Sequence, residues 1–463
     1  MWLSKIMKHK FTTAFTAFLS ISLLSIFLYT GNAFAKNNVE EFTLENGMRV
    51  IVVTSRKVPA ISHMVWYRVG AIDEPKGKSG LAHYLEHLMF KETVKLKAGE
   101  FSKIIAKNGG NDNAFTSQDY TGYYQNISVK HIETVMGLES SRMTDLNITA
   151  ESILKERDVI LEERSMRIDN RPSAILTEKM RKSLFENHPY SIPVIGWKEE
   201  VANLEYKDVI DFYKKHYRPD NATLVVSGDI DAKTLKPIAE KYYGSIKIPS
   251  DPIATRSKDF TNLSLRTEPT EESLKDSRVQ QKEWIRFYTA PSIKTKNKDQ
   301  KIMPFVVFSQ IFGGGATSRI YQSFVVEDKI ATSAGSYYND MSYGPTSFSF
   351  FVTPSEKIEF AAIEKKLSEE ISEVAKNGVT SDELERAKSS LIAESIYAKD
   401  GIRNMAYIYG QISALGLDIE YAENWGKMIE EVSSDDIKKA AQYLLDSKSY
   451  VTGKLLPKDK ESK

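Results

Sequence analysis

"LEYKDVIDFYKKHYRPDNATLVVSGD" occupies residues 204–229, and "VSSDDIKKAAQYLLDSKSYVTGKL" occupies residues 432–455. Each reads as an amphipathic helix, a turn and an apolar strand. The two match in order with a short gap in the loop. A helix–turn–strand unit that recurs about half a chain apart points to an internal duplication. Other segments extend the match. "WIRFYTAPS" (284–292) echoes "MVWYRVGAI" (64–72). The helix "MPFVVFSQIFGGG" (303–315) stands where "GLAHYLEHLMF" (80–90) stands in the first half.

The first half alternates strands and helices. "FTLENGMRVIVVTS" (42–55) is a hairpin turning at Asn46-Gly47. "ISHMVWYRVG" (61–70) is a strand, 76–79 a turn, and a helix follows through 80–90. "YTGYYQNISV" (120–129) is strand-like, 151–166 is a helix, and "NATLVVSGDID" (221–231) is a strand ending in a turn. The stretch 250–277 is rich in Ser, Thr, Pro and charge and poor in periodic apolar residues. The expected domains are therefore 36–255 and 278–463, joined by a linker over 256–277.

The 463 residues are too many for one compact core, which agrees with two domains. The formal net charge of +1, with acids and bases interspersed, gives no basic face for nucleic acid. There is no cysteine, so a bound metal must be held by His, Asp or Glu. Residues 1–35 form a secretory signal: Lys5, Lys8 and Lys10, then the apolar run 11–30, then the small-x-small triplet Ala33-Phe34-Ala35. Cleavage after Ala35 gives an exported protein, periplasmic or secreted. The alternative is an uncleaved N-terminal membrane anchor.

Residues 80–90 hold two of the seven histidines. His83 and His87 are four apart, so on a helix both rings leave the same face, with Glu86 beside them. Two imidazoles at this spacing reach one zinc ion, and a neighbouring carboxylate can take a proton from an activated water. Leu81, Tyr84, Leu85, Leu88 and Met89 surround the polar trio, and bury it. A third ligand is needed. The inward stripe of the helix in 151–167 reads Ile153, Glu156, Ile160, Glu163, with Leu154 and Leu161 alongside. Glu162 faces outward. Two inward carboxylates need a cation, either the metal or one of Arg157, Arg164 and Arg167. Spacing alone leaves Glu156 and Glu163 both open as ligand. In the second half Phe305, Phe308 and Ser309 take the places of His83, Glu86 and His87, so only the first half can carry this chemistry.

H-x-x-E-H is the inverted zincin order. "HYLEH", followed by "ERDVILEE" with 76 residues from His87 to Glu163, resembles the pitrilysin/insulinase family of zinc peptidases, in its short two-domain bacterial processing-peptidase-like form. The resemblance covers the chain after the signal segment. It implies an α+β fold: two homologous α/β-sandwich-type domains facing each other around a cavity. It implies one Zn2+ per chain held by His83, His87 and Glu163, with Glu86 as general base and Glu156 as a second acid needed for activity. "GGNDNAFTSQDYTGYY" (109–124) resembles the family's edge strand, where an extended substrate adds through backbone hydrogen bonds to Asn113, Ala114 and Phe115.

One departure bears on assembly. Self-sufficient members carry an Arg and a Tyr, seven apart, after the Gly-rich turn of the second half. Here "GGGATSR" (313–319) is present, but Val325 and Thr332 stand at those places. The expected assembly is a dimer, either a heterodimer in which a paralogous subunit supplies the Arg/Tyr pair or a homodimer that manages without it. The expected function is an exported zinc endopeptidase acting on peptides or unfolded segments. The alternative is a non-catalytic assembly or binding subunit.

Overall fold

The computed structural model describes residues 38–253, 255–257, 260, 266, 268–295 and 301–458. The expected signal segment and cleavage point lie outside the described residues, as does part of the expected linker.

Asn46-Gly47 closes the first hairpin as the sequence predicts. Strands β1 (Asn38–Thr43) and β2 (Arg49–Thr54) pair antiparallel across it. Gly47 takes φ +81°, where a side chain would be strained. The rest of the first half supplies β3 (Ala60–Tyr67), β4 (Asn111–Thr116), β5 (Thr121–Ser128) and β6 (Ala222–Gly228). Its helices are α1 (Leu81–Leu88), α2 (Glu100–Lys107), α3 (Ile132–Thr144), α4 (Ala150–Arg164), α5 (Pro172–Phe185), α6 (Lys198–Ala202), α7 (Tyr206–His216) and α8 (Ala232–Ala239). The second half supplies β7 (Thr270–Asp276), β8 (Glu283–Ala290), β9 (Ala331–Tyr338), β10 (Thr346–Pro354) and β11 (Tyr450–Pro457). Its helices are α9 (Met303–Gly313), α10 (Arg319–Tyr321), α11 (Phe360–Asn377), α12 (Ser381–Ala398), α13 (Ile402–Ala414), α14 (Glu420–Glu430) and α15 (Ser434–Asp446).

The duplication is visible in strand order. The first sheet runs β1-β2-β6-β3-β5-β4 and the second β7-β11-β8-β10-β9. Apart from the extra β1, each strand has a counterpart with the same neighbours and senses. β2 lies parallel to β6 as β7 lies parallel to β11, and the remaining pairs are antiparallel. The quoted repeats are α7–β6 and α15–β11. Central β6 is buried along its whole length, as expected of a strand covered on both faces.

One boundary needs correction. Residues 270–276, assigned above to the linker, form β7. "TEESLKD" alternates half-buried and exposed positions, and it pairs only with β11. An edge strand with one wet face can be this polar, because backbone bonds hold it.

The two halves also exchange helices. One face of the first sheet carries its own helices over a core that includes Leu81, Leu85, Val135 and Ile160. Its other face, with Ile51, Met64, Trp66 and Val225, is covered by Met405, Ala406, Tyr409 and Ile412 of α13 from the second half. Reciprocally, Leu176, Met180 and Leu184 of α5 from the first half cover Val451 and Leu455 of the second sheet. Both crossings depend on a glycine. A Cβ on Gly410 would lie 2.0 Å from Trp66 Nε1, and one on Gly453 would lie 2.2 Å from Met180 Sδ.

Candidate metal centre

α1 starts sharply. Gly80 has φ +88°, and a Cβ there would sit 2.8 Å from the Ile195 carbonyl oxygen. The half-buried Glu74 carboxylate accepts from Gly80 N at 2.9 Å and Ala82 N at 2.8 Å, capping the free amides of the first turn. This cap was not foreseen, since Glu74 lies before the turn that precedes the helix. Leu81, Tyr84, Leu85, Leu88 and Met89 are all buried, and fix which face α1 turns away from the core.

On that face the His83 and His87 rings lie with centroids 4.8 Å apart. Glu163 of α4 points between them. Its Oε2 is 3.5 Å from His83 Nε2 and 3.2 Å from His87 Nε2. Ligand atoms about 2.1 Å from a tetrahedral zinc lie roughly 3.4 Å from one another, which both Glu163 distances match, and one ligand atom from each of the three residues lies within 4.8 Å of the others. Glu163 Oε2 is buried with no hydrogen-bond donor, which leaves a place for a cation. Burial holds His83 neutral, its pKa lowered to about 3, and a neutral imidazole is the form that binds metal.

The other acids have distinct surroundings. Glu156 Oε1 accepts from His87 Nδ1 at 2.8 Å, and its second oxygen pairs with Lys91. It holds the back of the His87 ring and does not reach the cluster of three. Burial lowers the His87 pKa, but the Glu156 bond and the Glu163 charge outweigh it, and the net shift is upward. Of the three arginines, only Arg167 meets either acid, at Glu163 Oε1 (2.7 Å). Arg157 bonds the Leu204 carbonyl, and Arg164 bonds Glu178 and the Gly196 carbonyl. Glu162 is exposed, and so is Leu154, at 55 %. Leu154 thus leaves the inward stripe, because it sits a quarter-turn past Ile153. Lys91 was not foreseen: it lies past the end of α1.

Glu86 accepts from Thr116 Oγ1, the last residue of β4. Burial raises its pKa, partly opposed by that bond. β4 is the outer strand of the first sheet, so Asn113, Ala114 and Phe115 lie on a free edge. Asn113 Oδ1 takes the Ala114 N–H at 2.8 Å. The Phe115 ring lies on the far face, against Trp66, Tyr120 and Tyr407, above Gly122. In the second half Phe305 and Phe308 are core residues of α9, and the Ser309 hydroxyl meets Ser336 Oγ at 3.5 Å. Val325 packs against that core and Thr332 is exposed on β9.

Two sheets of matching strand order, with a His–His–Glu cluster held by α1 and α4 of the first half, define a class, and sequence comparison agrees. Residues 49–198 match the model described as "Insulinase (Peptidase family M16)" and residues 203–391 that of the "Peptidase M16 inactive domain". The chain belongs to this pitrilysin/insulinase family of peptidases. It is 29 % identical over 417 residues to "Zinc protease PqqE" of Helicobacter pylori, covering 89 % of this chain and 91 % of that protein. A crystal structure of a protease from Helicobacter pylori superposes with TM-score 0.83 at 27 % identity, over 91 % of this chain and all of that one. The periplasmic protease PqqL of Escherichia coli has the same fold (TM-score 0.74, 18 % identity), with 90 % of this chain matching 47 % of its length.

Proposed function

We propose that the chain is an exported zinc endopeptidase that cleaves peptides or unfolded segments. The observation that carries this reading is the convergence of one Glu163 oxygen and two neutral-capable imidazole nitrogens at metal-ligand spacing, with Glu86 on the same helix. Zinc at His83, His87 and Glu163 would supply the Lewis acidity that polarises the scissile carbonyl and acidifies water. Glu86 takes the proton from the attacking water and returns it to the departing amine. Thr116 Oγ1 fixes one Glu86 oxygen and so aims the other. Glu156 and Lys91 hold the His87 ring in place. The β4 edge receives an extended substrate by strand addition, once the Asn113 side chain releases the Ala114 amide.

The reading includes export, supported by the basic, apolar and small-x-small order of residues 1–35. It also includes a partner. Val325 has no polar group and the Thr332 hydroxyl is given to the Thr353 carbonyl at 3.3 Å, so neither supplies the cation or phenol that would stabilise the carbonyl oxygen. The match to about half of the longer PqqL chain fits a site completed by two such units. The test is quenched-peptide cleavage by the zinc-loaded mature chain, alone and mixed with its most similar paralogue. Activity confined to the mixture and lost in Glu86→Gln is the expected result. Strong activity alone rejects the partner, and no cleavage in either case with zinc bound rejects the peptidase.

A further inference from the structure

The outer strands of both sheets run out at one place. The turn after β4, from Ser117 to Tyr120, and the loop after β9, from Asn339 to Pro345, line a shared cavity of about 210 Å³ between the halves. Arg181 of α5 lines it too. Among the described residues no carboxylate pairs with this guanidinium. It makes one long bond, Nη2 to the Tyr190 carbonyl at 3.4 Å, and lies over the Phe185 ring. Burial lowers its pKa, which the neighbouring Tyr190 hydroxyl only partly offsets. Asp119, on the same wall, is already committed: one oxygen accepts from Tyr190 Oη at 2.5 Å and the other from Tyr343 N at 3.1 Å. Thr346 and Ser347, at the start of β10, also line the cavity; Ser347 lies on the strand face that α5 covers, and its hydroxyl has no partner among the described residues.

A half-buried guanidinium with no carboxylate partner among the described residues is costly, and its planar fork matches a carboxylate. We propose that this pocket binds a carboxylate, with Arg181 as its counter-ion and the Ser347 hydroxyl as an additional donor. Position suggests the source. Ser117 follows Thr116, which touches Glu86, so a peptide laid along β4 and continued past Thr116 enters the pocket within a few residues. The carboxylate is then an acidic side chain of the substrate. Only this choice of source rests on the peptidase reading.

The test uses binding, so that it stands apart from catalysis. Labelled peptides carry one Glu moved along a neutral sequence, each with its Gln twin. They are bound to the zinc-loaded Glu86→Gln chain and read by anisotropy. At one or two positions the Glu peptide should bind roughly 10- to 100-fold tighter than its twin. Arg181→Met should bring that ratio to about one. Arg181→Lys, which keeps the charge and loses the fork, should lower it severalfold, and it carries the test if the Met variant fails to fold. Equal binding of the twins at every position, or a ratio that survives Arg181→Met, overturns the proposal. Stabilisation of the parent by free acetate, lost in Arg181→Met and without peptide discrimination, overturns the substrate source and assigns the pocket to a free small carboxylate.

Discussion

Glu156 and Glu163 share a helix face and differ in what they touch. Glu163 faces both imidazoles, whereas Glu156 reaches only the rear nitrogen of His87. Replacing Glu156 by Gln should weaken zinc affinity about 10- to 100-fold in a chelator competition, and His83→Ala should lose the metal outright. Glu86 offers a second check. Its active form is unprotonated, and burial raises its pKa above 4.5, so activity falls as pH drops at a higher pH than for an ordinary carboxylate. Thr116 opposes that shift, so Thr116→Val should move the acid limb of kcat/KM further up. At this scale the sequence was informative where helical geometry sets direction. The i, i+4 rule put both histidines on one side, and the stripe put both acids inward. It could not rank the acids, because rank depends on how α4 sits against α1. Nor could it find Lys91, since beyond Leu88 the helical period no longer fixes where a side chain points.

Strand and helix repeats were legible because α7–β6 and α15–β11 keep the same order of apolar positions. The polar edge strand β7 was not, since its stability comes from backbone pairing to β11 and leaves little apolar signal. The crossed helices were also hidden: nothing local says which sheet an amphipathic helix will cover. Their close contacts make a prediction. Gly410→Ala and Gly453→Ala should each cost about 1–3 kcal/mol in denaturant unfolding, through overpacking against Trp66 and Met180. Gly426→Ala in α14, where an added methyl meets nothing within 4 Å, should be neutral or gain up to about 1 kcal/mol.

For the whole molecule, buried neutral histidines set the acid limit. His188 and His216 have pKa values lowered to about 4, and His63 is lowered too, all chiefly by burial. Unfolded, each titrates near 6.5, so between 6.5 and 4 the unfolded chain binds more protons and stability falls with falling pH. His188 and His216 should each contribute a loss of up to about 3 kcal/mol by pH 4. Urea midpoints measured across that range should drop steeply, and His216→Gln should flatten the drop.

A duplication usually leaves two modules that inheritance can tune, reorder or discard one at a time. Here α13 and α5 have traded sides, so each module's far wall belongs to its sibling. The half without the metal ligands cannot be deleted as idle, because Trp66 of the other half would lose its roof. A recombination joint drawn through residues 250–277 would separate the coding sequences and leave neither product a closed core. The seam in the gene and the seam in the protein no longer coincide, and the repeated sequence has become a single heritable unit.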